Sequence, residues 1–367
     1  MPLTRHFYDS DDVIAALYYS SSRRDVKETQ FWCTELLLSG YSSEVISVLF
    51  ESWLFQRGPF YLRWLINAEI LTKENVTEDA ILQAAVELSS YAEWDNSVWS
   101  ILCSKQPADR VTPKTPPWIS ISSDSKCSEQ VLYLYRAMYQ GKGRSAWLMA
   151  QQIEDVWPIL KEYGRHLSPD YEACFTILEK YEDLLGYRSE SYSIAIKCCA
   201  VLMLCLSKEK MEQSLKIRQI SFTPLQIPIG RKAARLYHIP SVISGHLISQ
   251  LHDVEKGIKG CPFWDDVLNE NDADAFYTYF PDDIPDEWTA KDKEKSHRIH
   301  KVESTMIQRY ALTKPCRLNW NTKNCGKNGL HPLDVIETSN GLHQLDVNKT
   351  LDCQINTKPL KRKYLAH

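Results

Sequence analysis

The sequence predicts an all-α protein, either a multi-helix bundle or an irregular helical array, with a disordered C-terminal tail. Apolar residues recur at a spacing of three to four, helix-capping residues precede these stretches, and the periodicity is lost near the C-terminus. Hydrophobic residues make up 44% of the 367 residues, which is enough for a large buried interior. We therefore expect an N-terminal helical domain at 1–104, a Pro/Ser-rich linker or loop at 105–127, a second helical region at 128–314 and a mostly disordered tail at 315–367.

Capping residues predict where helices of the N-terminal domain begin and end. Asp25 with Glu28 forms a capping-box-like start, because these residue types satisfy backbone N–H groups in the first turn of a helix. Gly40 stands where a residue in the left-handed conformation would end that helix. The pair Gly58 and Pro59 predicts the end of the next helix, since proline lacks a backbone N–H.

Prolines also mark the segment between the two helical regions. Residues 105–127 hold Pro113, Pro116 and Pro117 with a serine cluster, and each proline disfavours helix for the residue before it. Further along, residues 141–144 are glycine-rich and basic but lack the spacing of a phosphate-binding GxxxxGK[ST] loop. We interpret them as a turn between two helices.

Residues with catalytic or metal-binding chemistry lack the spacing of known motifs. The sequence contains no HExxH, GxSxG or CxxC pattern, so we expect no cofactor and no metal. An enzyme of unknown class is an alternative, with His238, His246 and His252 as its clustered candidates. Five tail residues have zinc-binding chemistry, but their spacing is irregular and predicts no site. They are Cys316, Cys325, His331, His343 and Cys353.

The charge of the chain bears on contacts with nucleic acid. A net charge of −4 and a pI near 6.2 argue against a protein that coats nucleic acid through its overall charge. Arg231, Lys232 and Arg235 lie close to an aromatic residue, Tyr237, which is a composition suited to a local phosphate contact. The alternative, which we favour, is a solvated loop that pairs with nearby acidic residues.

Tryptophan and phenylalanine supply the candidates for protein contacts. Phe31 and Trp32 are adjacent on a predicted helix, about 100° apart, so we expect one of them to be available at a surface. Two tryptophans lie outside regular helix interiors, in the proline-rich loop and in a helix first turn, where they would face a partner or another domain. The candidate interface residues are therefore Phe31, Trp32, Trp118 and Trp288. Trp53 and Trp94 are predicted to lie in the core.

Two segments resemble a group of viral proteins. The opening MPLTRHFYDSDDVIAALYYS and the later FPDDIPDEWTAKDKEKSHR are similar to uncharacterised proteins of the nucleocytoplasmic large DNA viruses of eukaryotes. The similarity covers about residues 1–310. It implies expression in an infected cell, and it carries no activity or catalytic residues.

A second resemblance covers residues 9–104. The stretch DDVIAALYYSSSRRDVKETQFWCTELLLSGYSSEVISVLFESWL resembles in layout the helical collar domain of clamp-loader-type AAA+ ATPases. In that family the collar holds ring subunits together and binds no nucleotide. We see no ATPase domain ahead of this stretch, so the resemblance implies only an oligomerising or docking role.

These observations favour a non-enzymatic helical scaffold or assembly protein of a large DNA virus that acts through protein partners or self-association. The alternatives are a DNA-replication accessory factor with a collar-like oligomerisation domain, in which the basic segment touches nucleic acid, and the enzyme named above.

Eleven cysteines without framework spacing favour a reducing compartment, and no stretch is apolar enough to predict a membrane span. We expect the protein in the host cytoplasm or viral replication compartment, with the virion as an alternative.

Overall fold

The computed structural model describes residues 2–6, 8–104, 107–119, 128–186, 190–216, 220, 222–224, 237–238, 257–269 and 314–315. The α-helices of this part of the chain are α1 (Ser10–Ser22), α2 (Val26–Leu38), α3 (Ser42–Gln56), α4 (Leu62–Asn67), α5 (Glu78–Ser90), α6 (Ser97–Cys103), α7 (Glu129–Tyr139), α8 (Gly143–Ala150), α9 (Trp157–Arg165), α10 (Pro169–Gly186), α11 (Glu190–Leu204), α12 (Lys208–Ser214) and α13 (Pro262–Asn269). Two short 3-10 helices lie at Gly58–Phe60 and Ala68–Thr72, and two-residue strands β1 (Tyr237–His238) and β2 (Lys314–Pro315) pair in parallel. The fold class is all-α, as predicted, while the tail beyond residue 315 lies outside the described residues.

Local capping chemistry sets the helix ends that the sequence predicts. The Asp25 side chain accepts a hydrogen bond from the Glu28 backbone N–H at 3.1 Å and so caps α2. Gly40 follows the end of α2 with φ of 84°, a left-handed conformation that glycine adopts without a steric penalty. Space also requires this glycine, because an added Cβ would lie 2.7 Å from Pro262 Cβ at the start of α13. The predicted start and stop of α2 are confirmed.

The contacts divide the described residues into two compact units. The first comprises those within Met1–Ser52, Lys73–Ala92 and Gln219–Trp320, and the second comprises those within Trp53–Thr72 and Glu93–Arg218. These boundaries differ from the ones that composition predicts, because residues 53–72 group with the helices that follow the prolines. Tyr181 of α10, for example, donates its hydroxyl to the Ala68 carbonyl at 3.4 Å.

Helix α2 is the central helix of the first unit, and it packs against α1 and α5. Its buried residues lie on more than one face, and they include Phe31, Trp32, Cys33 and Leu36. A helix that is buried around most of its circumference needs neighbours on several sides. The N-terminal segment at 2–9 supplies one of them.

Helix α11 is the central helix of the second unit and packs against α6, α8, α9 and α10. Cys198 and Cys199 are fully buried on it as free thiols. Residues 141–142 lie in the turn that joins α7 to α8, as interpreted, whereas Gly143 and Arg144 already form the start of α8. Residues 107–119 contain neither helix nor strand, in agreement with their prolines.

Candidate functional site

The proline-rich segment at 107–119, which we call the strap, lies on helices α7 and α9 of the second unit. Its tryptophan, Trp118, stacks on His166 with ring centroids 3.9 Å apart and an angle of 14° between the planes. The same indole contacts Tyr135 and Tyr163 edge-on, each with a centroid distance of 5.5 Å. We call the surface formed by Tyr135, Tyr163 and His166 the strap groove.

Hydrogen bonds hold the middle and the start of the strap. The Gln140 side-chain oxygen accepts from both the backbone N–H and the hydroxyl of Thr112, each at 2.9 Å. Its amide nitrogen donates to the carbonyls of Thr112, at 2.9 Å, and Lys114, at 3.1 Å. Nearer the start of the strap, Ser145 donates to the Asp109 carbonyl at 2.8 Å. One glutamine therefore recognises the backbone on both sides of Pro113.

Exposed apolar side chains flank the strap. Tyr139, which precedes Gln140, is 38% exposed and carries the Lys114 ammonium 5.5 Å from its ring centroid. Leu167, which follows His166, is 42% exposed. Trp118 is partly buried and His166 is exposed, so the stacked pair is also accessible. We call Trp118, Tyr139, His166 and Leu167 the strap surface.

Trp118, one of the predicted interface residues, packs against a residue of its own unit. The indole was expected to face a partner or another domain, and one face of it is taken by His166 of its own unit. The remaining exposure of the stack leaves room for a partner. Its interface role stays a prediction.

Phe31 and Trp32 are both 0% exposed, so the expectation that one of them is available at a surface is wrong. Tyr8 covers both rings, with centroids 6.2 Å from Phe31 and 5.2 Å from Trp32. The Trp32 indole N–H also donates to Glu28 at 3.3 Å. Two side chains that leave α2 about 100° apart are therefore both buried, because the helix is covered on several sides.

The two tryptophans assigned to the core have different outcomes. Trp53 is fully buried and donates its indole N–H to the Tyr61 carbonyl at 2.9 Å, which confirms its assignment. Trp94 is 45% exposed, so its assignment is wrong. It stands in the extended stretch between α5 and α6, where no helical face directs it inward.

Several predicted site residues lie outside the described part of the chain. They include the cations of the basic segment and the fourth candidate interface residue. These are Arg231, Lys232, Arg235 and Trp288. The same holds for His246, His252 and the five tail residues with zinc-binding chemistry, while His238 is described only as part of β1.

Sequence reasoning missed a buried polar cluster in the first unit. Glu35 of α2 accepts from the Thr4 hydroxyl at 2.6 Å and from the His6 backbone N–H at 2.9 Å, and its second oxygen pairs with His6 Nδ1. Trp264 of α13 donates to the Thr4 carbonyl at 3.0 Å. A histidine with a carboxylate is a combination used in acid–base catalysis, but Thr4, His6 and Glu35 are at most 1% exposed. The cluster instead fastens the N-terminal segment and α13 to α2.

The described cysteines have the environment of structural thiols. Burial raises the pKa of the Cys103 thiol to about 12, and burial is also the main reason that the pKa of Cys174 rises to about 12. The pKa values of Cys198 and Cys199 are raised well above the ordinary value, again chiefly by burial. These thiols are protonated at neutral pH, and the thiolate is the nucleophilic form.

Two further observations apply to the described residues only. They contain no group of three or more His, Cys, Asp or Glu side chains arranged to hold a metal ion. Among the described helices, none combines the length and the apolar character that crossing a membrane requires.

Comparison with known proteins finds no match to the chain among family models, curated proteins or solved structures.

Proposed function

We propose that this protein is a non-enzymatic helical scaffold or assembly protein of a large DNA virus, and that it acts through protein–protein contacts. The observation that carries the proposal is the strap surface, where aromatic and aliphatic side chains remain exposed around a stacked tryptophan. Aromatic residues are enriched at protein interfaces because they bury a large area at a small entropic cost.

The distribution of exposed apolar residues supports the same unit as the contact region. Four large hydrophobic side chains are exposed among the described residues, and all four belong to the second unit. They are Ile70, Trp94, Tyr139 and Leu167. Only the last two adjoin residues that hold the strap. A cluster of this kind is a better candidate for an interface than apolar residues scattered singly.

The chemistry of the buried groups supports a non-enzymatic role. His6 and Glu35 have the chemistry of an acid–base pair, but both are buried, and Glu35 also accepts a hydrogen bond from the His6 backbone. The buried thiols are protonated at neutral pH. We propose that the protein works inside the infected cell, in the host cytoplasm or the viral replication compartment, or as a component of the particle. The viral assignment rests on the resemblance of about residues 1–310.

The test compares two double variants of the full chain. Tyr139→Ser with Leu167→Ser removes apolar area beside the strap, and Ile70→Ser with Trp94→Ser removes similar exposed area elsewhere on the same unit. All four side chains are exposed, so we expect both variants to fold. Self-association in sedimentation, or capture of a defined partner from infected cells, should weaken about tenfold or more in the first variant only. Equal behaviour of both variants and the unchanged protein would contradict the proposal.

A further inference from the structure

The strap has the features of a bound peptide rather than of an ordinary connecting loop. It forms no helix or strand over residues 107–119, and side chains of the surrounding helices recognise its backbone. Pro116 is buried, Trp118 is stacked, and Pro113 is exposed between two carbonyls that Gln140 binds. Two anchors and a backbone clamp thus hold one proline-rich segment.

This arrangement follows a general mode of peptide recognition. Proline-rich segments prefer an extended conformation with solvated carbonyls, so they lose little entropy on binding. Aromatic grooves exploit this by packing on the proline rings and donating hydrogen bonds to the carbonyls. In the strap groove, Tyr135, Tyr163 and His166 pack on the indole of Trp118, and Gln140 donates to the carbonyls.

Solvent reaches much of the strap and the edge of its groove. His166 and much of the strap, including Pro113, Lys114 and Pro117, are exposed, so solvent already reaches the edge of the interface. Leu134 of α7 and Leu160 of α9 are fully buried. Departure of the strap would break its hydrogen bonds with Gln140 and Ser145 and would expose the rings of Tyr135 and Tyr163 that Trp118 covers.

We propose that the strap groove is a binding site for proline-rich segments that end in tryptophan, and that residues 107–119 occupy it as an intrachain ligand. The partner that it fits is a segment of another protein chain with the chemistry of the strap itself, which has four prolines followed by a tryptophan. This inference goes beyond the proposed function, since it concerns the groove beneath the strap rather than contacts of the intact strap surface.

The test uses a labelled synthetic peptide with the sequence of residues 107–119, PADRVTPKTPPWI, and the full chain. Trp118→Ala removes the anchor of the internal strap and leaves the groove intact. This variant should bind the peptide at least about tenfold more tightly than the unchanged protein, because the tethered strap competes at a high effective concentration. A peptide with alanine in place of its tryptophan should lose at least about tenfold in affinity.

Trp94→Ala is the matched control, since it removes an exposed tryptophan of the same unit that does not belong to the strap. It should bind the peptide no better than the unchanged protein does. If Trp118→Ala does not fold, as judged by circular dichroism, Trp118→Leu replaces it, since leucine keeps an apolar side chain at this position.

Two results would overturn the inference: no binding of the peptide by a folded Trp118 variant at about 1 mM, or equal binding by that variant and the unchanged protein. Neither result would decide the proposed function. The double-variant comparison measures contacts of the intact strap surface, whereas the peptide measures occupancy of the groove beneath it.

Discussion

At the scale of single residues, Asp12 stands out among the carboxylates of α1. Burial raises its pKa to about 7, and the neighbouring charges of Asp9 and Asp11 add to the effect. A carboxyl with a raised pKa holds its proton more tightly in the folded chain than in the unfolded chain. Its contribution to folding is therefore present at low pH and is lost as the pH rises from about 4 to about 7.

We predict that Asp12→Asn stabilises the protein in a pH-dependent way. At pH 8 the free energy of unfolding should exceed that of the unchanged protein by about 1–2 kcal/mol, a value discounted because the side chain is partly exposed. Near pH 4 the difference should almost vanish. Urea denaturation at the two pH values measures it, with Asp79→Asn as the control for removing an exposed first-turn carboxylate of α5. A difference that is the same at both pH values would refute the assignment.

Residue-level features were predictable where they depend on neighbours in sequence. The cap at Asp25 and the left-handed Gly40 follow from local backbone chemistry, and both are present. The role of Glu35 was not predictable, because its partners Thr4 and His6 lie about thirty residues away. The one signal in the sequence is a lone carboxylate inside the apolar run WCTELLL, which indicates a buried polar contact but not its partners.

At the scale of elements, α2 shows how a helix is positioned by its surroundings. Its start and end follow from sequence, but which of its faces are buried depends on α1, α5 and the N-terminal segment. If only one face of α2 were buried, either Phe31 or Trp32 would be exposed, but both are buried. The edge-on contact of their rings, at 4.7 Å between centroids, instead belongs to the core.

We predict that Phe31→Ala and Trp32→Ala each destabilise folding by about 3–5 kcal/mol, because both replace a large buried aromatic side chain with a cavity. Denaturant unfolding monitored by circular dichroism measures the loss. Trp94→Ala, which truncates a half-exposed tryptophan, should cost less than about 1 kcal/mol. If either substitution in α2 proves as mild as the control, that residue faces a surface and the description of α2 as a central helix is wrong.

At the scale of the whole molecule, the fold class follows from the periodicity of the sequence, whereas the division into units does not. Composition places a boundary at the prolines after residue 104, but the strap that contains them packs on α7 and α9. Residues 53–72 join the second unit because their buried side chains, such as Trp64, contribute to its core. Such groupings depend on contacts between residues far apart in sequence, for which local patterns give no signal.

The candidate site shows the same limit. The sequence identifies Trp118 as an unusual tryptophan in a proline-rich segment, but it does not reveal that His166 and Gln140 bind that segment. Tyr139 and Leu167 become candidates only because the fold leaves them exposed beside the strap. The strap surface is therefore visible only in the tertiary structure, and the proposed function depends on it.

Site-specific photocrosslinking in infected cells tests the central claim, contact through the strap surface, most directly. A photoreactive benzoylphenylalanine replaces Tyr139 in one version of the full chain and Glu209, an exposed residue of α12, in the other. If the strap surface is the contact region, position 139 should give a discrete adduct with a second copy or another defined protein, and position 209 should give no such adduct. The absence of any adduct from position 139, or the same adducts from both positions, would contradict it.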